Sequence, residues 1–217
     1  MAKICLTFDN GPHPVGTPKV LDSLARFGIS STFFVVGKQL AQPEGLELAS
    51  RIRDAGHRLG NHTYSHRTPI GLDARPRVIE EEIVRTEALL SRIWAGPRFF
   101  RPFGEGGRLG PHLLTREAVD WLCHHRYTCV LWNSVPGDFR DPVGWVHRGL
   151  EDCEAQDDVL MVLHDVAIEA MERLDGFLEA LMVRGHSFVH EFPAGYLAII
   201  EGVLQPSIQI CSSDEEP

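Results

Sequence analysis

An α/β fold built on a parallel sheet is what this 217-residue sequence predicts, and two observations carry the prediction. Short β-branched or aromatic runs alternate about seven times with amphipathic stretches of helical spacing. No segment repeats another, and no linker is long enough to set off a second domain. Strands and helices in strict alternation imply parallel strands with helices packed on them, closed as a barrel or left open.

Taken in order, residues 3–8 are largely apolar and end in Asp9-Asn10-Gly11-Pro12, a buried strand followed by a turn. A helix is expected from about Pro18, a good first-turn residue, to Arg26, with Gly28 as its stop. Ser31–Val36 reads as a second buried strand and Glu44–Ala55 as a helix stopped by Gly56. A short strand, 57–60, leads into Asn61-His62-Thr63-Tyr64-Ser65-His66. The longest helical pattern runs from about Arg75 to Trp94, with Val78, Ile79, Ile83, Leu89, Leu90 and Ile93 at helical spacing. Beyond it the expectation is strand 98–103, helix 111–125, strand 127–132, helix 142–152, strand 159–163, helix 167–183 and strand 187–192. After Gly195 the signal fades: 199–204 is expected to pack, and 205–217 reads as a frayed acidic tail. The domain is therefore placed at 1–195, with 196–217 as a C-terminal extension.

Composition narrows the function. Thirty acidic against 21 basic side chains give a net charge of −9, which argues against nucleic acid or an anionic membrane as partner. No apolar run reaches the length of a membrane span, and no secretion signal precedes the first strand, so a cytoplasmic protein is expected. The five cysteines are scattered without CxxC spacing, which fits reduced thiols better than a cysteine metal site. Nothing indicates the oligomeric state.

The polar, reactive residues gather at strand ends: Asp9 and Asn10, His62 and His66, Arg101, Asn133 with Asp138, then His164 and Asp165. In βα folds the carboxyl ends of parallel strands share one face, so these pieces converge on one cleft. If residues 62–66 turn helically, His62 and His66 share a side and can hold one divalent metal, which needs a further oxygen ligand from elsewhere.

These motifs, in this order, resemble those of the polysaccharide deacetylases with a NodB homology domain, carbohydrate esterase family 4. Thr7-Phe8-Asp9-Asn10-Gly11-Pro12 resembles the family's TFDDGP, and His62-Thr63-Tyr64-Ser65-His66 matches its H[ST]xxH. Arg101-Pro102-Phe103-Gly104 resembles RxPY/F, Gly137-Asp138-Phe139 the DxxDW segment, and Leu163-His164-Asp165 the LH motif. The resemblance covers roughly residues 3–192. It implies an irregular (β/α)7-type barrel, a single domain, and removal of acetyl groups with one divalent cation, zinc foremost. It implies His62, His66 and Asn10 as metal ligands, Asp9 as general base, His164 as general acid, Asp138 as the carboxylate behind His164, and Arg101 as the residue orienting Asp9. Phe103, Gly104, Trp132, Phe139 and Leu163 are the implied substrate-binding residues.

The chain also departs from the pattern. Asn10 stands where the family has a second carboxylate, Arg101 directly precedes Pro102 one residue early, Val135 replaces an acid, and Phe139 replaces a tryptophan. A neutral amide oxygen withholds charge from a dication, so weaker metal binding is expected. The leading expectation is a metal-dependent hydrolase that deacetylates an amino sugar or short oligosaccharide. The alternatives are a hydrolase of a non-sugar C–N bond, such as a cyclic ureide or formamide, and a catalytically weak carbohydrate-binding protein. The serines show no nucleophile-elbow pattern, which disfavours a serine hydrolase.

Overall fold

The strands are β1 (Lys3–Asp9), β2 (Thr32–Val35), β3 (Arg58–Asn61), β4 (Phe99–Phe100), β5 (Thr128–Val130), β6 (Asp158–His164), β7 (Ser187–Phe188), β8 (Leu197–Ile200) and β9 (Val203–Leu204). They form one sheet in a computed structural model that describes residues 1–211. The order is β6-β1-β2-β3-β4-β5-β8-β9, with β7 against the first half of β1. From β6 to β5 every pairing is parallel, as the alternation predicts, while β8 and β9 are antiparallel. After β5 the chain swings to β6: Val162 N–H donates to Ser134 O at 2.9 Å, and Ser134 bridges Met161. This joins the two ends of the parallel run, while β8 fills the gap further along β5. The sheet is curled and half-open, an irregular (β/α)-type barrel.

The helices are α1 (Gly16–Phe27), α2 (Gly37–Leu40), α3 (Gly45–Asp54), α4 (Arg85–Leu90), α5 (Arg116–His124), α6 (Trp145–Ala155), α7 (Ile168–Met171) and α8 (Leu174–Val183). Gly28 ends α1 at φ 66°, a left-handed cap suited to glycine, with Ile29 N–H closing on Leu24 O. Alternation along β1 and β6 sorts the two faces. Ile4, Leu6, Phe8, Val159, Met161 and Leu163 face outward onto Val20, Leu24, Phe177 and Leu178 of α1 and α8. Cys5 and Leu160 face inward with Phe34, Phe99 and Val130. The same two-residue period puts Thr7, Asp9, Val162 and His164 on the inner face.

Several elements differ from expectation. The 75–94 helix is wound only from about residue 78, because Asp73 takes the Arg75 N–H into a turn, and a π-helical segment, Glu80–Val84, precedes α4. The 111–125 helix breaks into a 3₁₀ turn and α5, since the Thr115 hydroxyl accepts from Ala118 N–H and caps a fresh start. The 167–183 helix is two helices, and the strands at 98–103 and 187–192 keep only two residues each. Residues 197–204 form β8 and β9, and 206–210 a 3₁₀ turn ending at buried Cys211, whose carbonyl accepts from Leu114 N–H. The frayed tail expected from 205 is thus ordered to Cys211, and its remainder lies outside the described residues.

Candidate active site

The inner face of β1 ends in Thr7 and Asp9, and the Arg101 guanidinium crosses beneath both. Arg101 is fully buried: Nη1 donates to Asp9 Oδ1 at 2.8 Å and to Thr7 Oγ1 at 2.7 Å, Nη2 to Leu131 O at 3.1 Å, and Nε to Val130 O at 3.3 Å. Its Cζ lies 4.0 Å from the centroid of the Phe34 ring. Arginine's planar fork satisfies such a set of acceptors where lysine could not. Burial drives the Asp9 carboxyl pKa up, but the Arg101 charge, with His62, His164 and the Arg101 hydrogen bond, brings it below the ordinary carboxylate value. Asp9 is therefore ionised at neutral pH. The short spacing before Pro102 has not displaced Arg101 from Asp9.

His62 follows β3. Its Nδ1 lies 2.8 Å from the Arg101 carbonyl, which can only accept, so Nδ1 carries the proton and Nε2 is left with its lone pair, 3.5 Å from Asp9 Oδ2. The His66 ring centroid lies 4.8 Å from that of His62 and 4.0 Å from that of Phe103. The helical turn expected here is absent: Thr63 and His66 have φ of 63° and 52°, and a folded-back loop brings the rings together. Burial lowers both imidazole pKa values, that of His66 to about 3, so both rings are neutral. Asn10 stands at the end of β1 with φ 79°, and its Oδ1 is buried without a hydrogen-bond partner. Among the described residues no three His, Cys, Asp or Glu side chains are placed to hold a metal. Two neutral imidazoles and an orphaned amide oxygen nonetheless fit a divalent cation as a donor set.

His164 ends β6, in register with Asp9 on the neighbouring strand. Asp138 grips it twice, with Oδ1 2.8 Å from His164 Nδ1 and Oδ2 accepting from the His164 backbone N–H at 2.7 Å. Burial lowers the His164 pKa, but the Asp138 charge and hydrogen bond, with Asp9 and Asp165, raise it above the ordinary imidazole value. The ring therefore holds its second proton on Nε2 over a wider pH range. The Phe139 ring stands edge-on to it at 4.9 Å and is 43% exposed.

Above these groups lies a small cleft walled by Phe103, Gly104, Trp132, Val135, Phe139 and Val162, with Asp9 and His62 among its lining groups. Trp132 Nε1 donates to Gly107 O at 2.8 Å, and a Cβ on Gly104 would come within 2.5 Å of the Trp132 ring. The loop 104–107 is thus the cleft rim. Leu163 is a correction: it points into the outer core, and its neighbour Val162 takes the place in the cleft. Asn133 is occupied structurally, receiving Leu160 N–H and donating to Gln156 and Asp158. Sequence reasoning missed Thr7 and Val162, which strand alternation outward from Asp9 and His164 could have found.

A model of the polysaccharide deacetylase family matches residues 2–106. The chain is 33% identical over 142 residues to a peptidoglycan-N-acetylglucosamine deacetylase of Bacillus cereus, covering 64% of this chain and 47% of that one. To a chitooligosaccharide deacetylase of Rhizobium leguminosarum it is 32% identical, over 63% of this chain and 56% of the other. It spans about half the length of these two relatives. Among solved structures, peptidoglycan deacetylase PdaC from Bacillus subtilis matches over 87% of both chains at 26% identity, with a TM-score of 0.71. The motifs, the half-open barrel and these likenesses agree in relating the chain to the polysaccharide deacetylases.

Proposed function

We propose that the protein is a metal-dependent hydrolase that removes an N-acetyl group from an amino sugar or short oligosaccharide. The observation that carries this reading is the pairing of Asp9 with His164 on adjacent strands, each beside a group that biases it oppositely: Arg101 favours the ionised Asp9 carboxylate, and Asp138 favours the protonated His164 ring. Mere binding needs no such opposed acid and base. The names of the curated relatives, deacetylases of N-acetylglucosamine in peptidoglycan and of chitooligosaccharide, support the substrate class.

A divalent cation, zinc foremost, would be held by His62, His66 and Asn10, and when bound it supplies Lewis acidity toward the carbonyl and the attacking water. Asp9 takes a proton from the water as its oxygen adds to the carbonyl carbon. His164, its ring fixed by Asp138, gives the Nε2 proton to the nitrogen as the C–N bond breaks, so that acetate and a free amine leave. Trp132, Val135 and Phe139 supply apolar walls for the acetyl methyl.

Acetate release from N-acetylglucosamine oligomers, measured after adding zinc or cobalt, tests the reading. Asp9→Asn is expected to abolish release, and His164→Ala to slow it by ~10²–10⁴-fold, the range of an acid–base group. Wild-type rates in either variant would remove that residue from the mechanism. No release from any oligomer by the wild-type protein would end the sugar reading.

A further inference from the structure

The loop that carries both histidines is not helical, yet three consecutive amides within it are satisfied. Thr63 N–H donates to Asn61 Oδ1 at 3.1 Å, and Tyr64 and Ser65 N–H both donate to Glu82 Oε2, at 3.0 and 2.8 Å. The other carboxylate oxygen of Glu82 accepts from Ser65 Oγ at 2.7 Å and from Arg75 Nη2 at 3.0 Å. Glu82 is 3% exposed, and none of its hydrogen bonds serves the acid–base pair. Two successive amide N–H groups aimed at one oxygen form an anion-holding nest, here filled by the protein's own carboxylate.

The element presenting Glu82 is equally specific. Glu82 lies inside the π-helical segment, where Arg85 N–H reaches back to Glu80 O. One extra residue in a turn rotates the helix before it by roughly 100° relative to the helix after it. The segment's Ile83 carbonyl accepts from Asn61 Nδ2 at 3.0 Å, and Thr86 Oγ1 donates to Glu82 O at 3.0 Å. Asn61 therefore ties the π-turn to Thr63 at one end of the loop, and Glu82 ties it to Tyr64 and Ser65 at the other. The opposite side is closed by Gly37 and Lys38 N–H, which donate to the Thr63 and Tyr64 carbonyls at 2.9 Å each. The Arg85 guanidinium packs 3.7 Å from the centroid of the Tyr64 ring.

We propose that Glu82, presented by this π-turn, is the positioning residue that holds the His62–His66 loop in its ligand-bearing shape. The inference rests on the preceding reading only in taking His62 and His66 as metal ligands. Residues that orient ligands in this way typically contribute ~10–100-fold to metal affinity.

The test is Co²⁺ titration of wild type, Glu82→Ala and Glu82→Gln, followed by visible absorption, together with amide hydrogen exchange without metal. Glu82→Ala is expected to bind Co²⁺ at least ~10-fold more weakly with an altered absorption band. Its Tyr64 and Ser65 amides should exchange faster, while those of β1 and β6 keep their protection. Glutamine keeps the volume and one acceptor oxygen, so Glu82→Gln should fold if alanine does not, and should fall between alanine and wild type in both measurements. Wild-type Co²⁺ affinity in the alanine variant, or unchanged protection of the two amides in either variant, would overturn the proposal. If wild type takes up no Co²⁺, the metal reading falls, and the exchange experiment alone decides for or against Glu82.

Discussion

Replacing Arg101 by methionine isolates the most heavily used side chain of the site. Methionine keeps much of the buried aliphatic stem but removes the donors to Asp9, Thr7, Val130 and Leu131. Asp9, 3% exposed, is left as an uncompensated buried carboxylate. Removing one partner of such a pair costs about 3–5 kcal/mol, well above the 0–1 kcal/mol of a surface ion pair. For a domain of this size each kcal/mol lowers Tm by about 2–4 °C, so a fall of roughly 6–20 °C is expected. Denaturant unfolding at pH 7 measures the loss. Adding Asp9→Asn to the variant should recover part of it, since the stranded charge is gone. The pH dependence gives a second check. With its folded pKa depressed, Asp9 contributes stability above its unfolded pKa, lost as pH falls through the folded value. Without Arg101, burial dominates and that contribution changes sign. A loss below about 1 kcal/mol would refute the reasoning, because it would mean the pair is solvated as a surface pair is.

Other consequences attach to single groups. Asp138→Asn should move the alkaline limb of kcat/KM to lower pH, since the carboxylate that raises the His164 pKa is gone; an unmoved limb would separate that limb from His164. Asn10→Asp should tighten metal binding by at least ~1 kcal/mol, roughly fivefold, in titrations under one buffer; no gain would mean Asn10 is not a ligand. Asp165 is fully buried, accepts from Thr17 Oγ1, and has its pKa raised to about 7, first by burial. A raised carboxyl favours folding below its unfolded pKa, and that advantage is lost as pH rises toward 7, so Asp165→Asn should gain stability relative to wild type at pH 8 and little at pH 4. Equal differences at both pH values, by denaturant unfolding, would refute the assignment.

The parts legible in the sequence are those where one local rule fixes the outcome. Alternating apolar runs predict the parallel strands, and Gly28 predicts the end of α1 because few other residues accept its φ of 66°. Strand ends predict the cleft, which is why Asp9, His62 and His164 converge there. The features that escape prediction depend on partners remote in the chain. Spacing of i, i+4 is the local route to paired histidines and predicts a helical turn over 62–66, but Glu82, 17 residues beyond Ser65, holds the loop's amides instead. Glu82 itself is hidden, because a run of acids in a helical pattern reads as a solvated face. Leu163 is misplaced for a simpler reason: a motif names two adjacent residues, while a strand sends them to opposite faces.

The neutral residue at position 10 also bears on the ionisation of Asp9. Asp9 sits in a setting where burial opposes its charge, and the balance is tipped foremost by Arg101. A second carboxylate on the adjoining residue would add like-charge repulsion and push the Asp9 pKa back up. Asparagine removes that repulsion while still offering an oxygen, and the oxygen is left without a hydrogen-bond partner. The two demands on this corner of the site therefore conflict: charge at position 10 strengthens a cation's hold, and its absence keeps Asp9 ionised to lower pH. With asparagine there, Asp9 relies for its ionised state on the guanidinium buried beneath it.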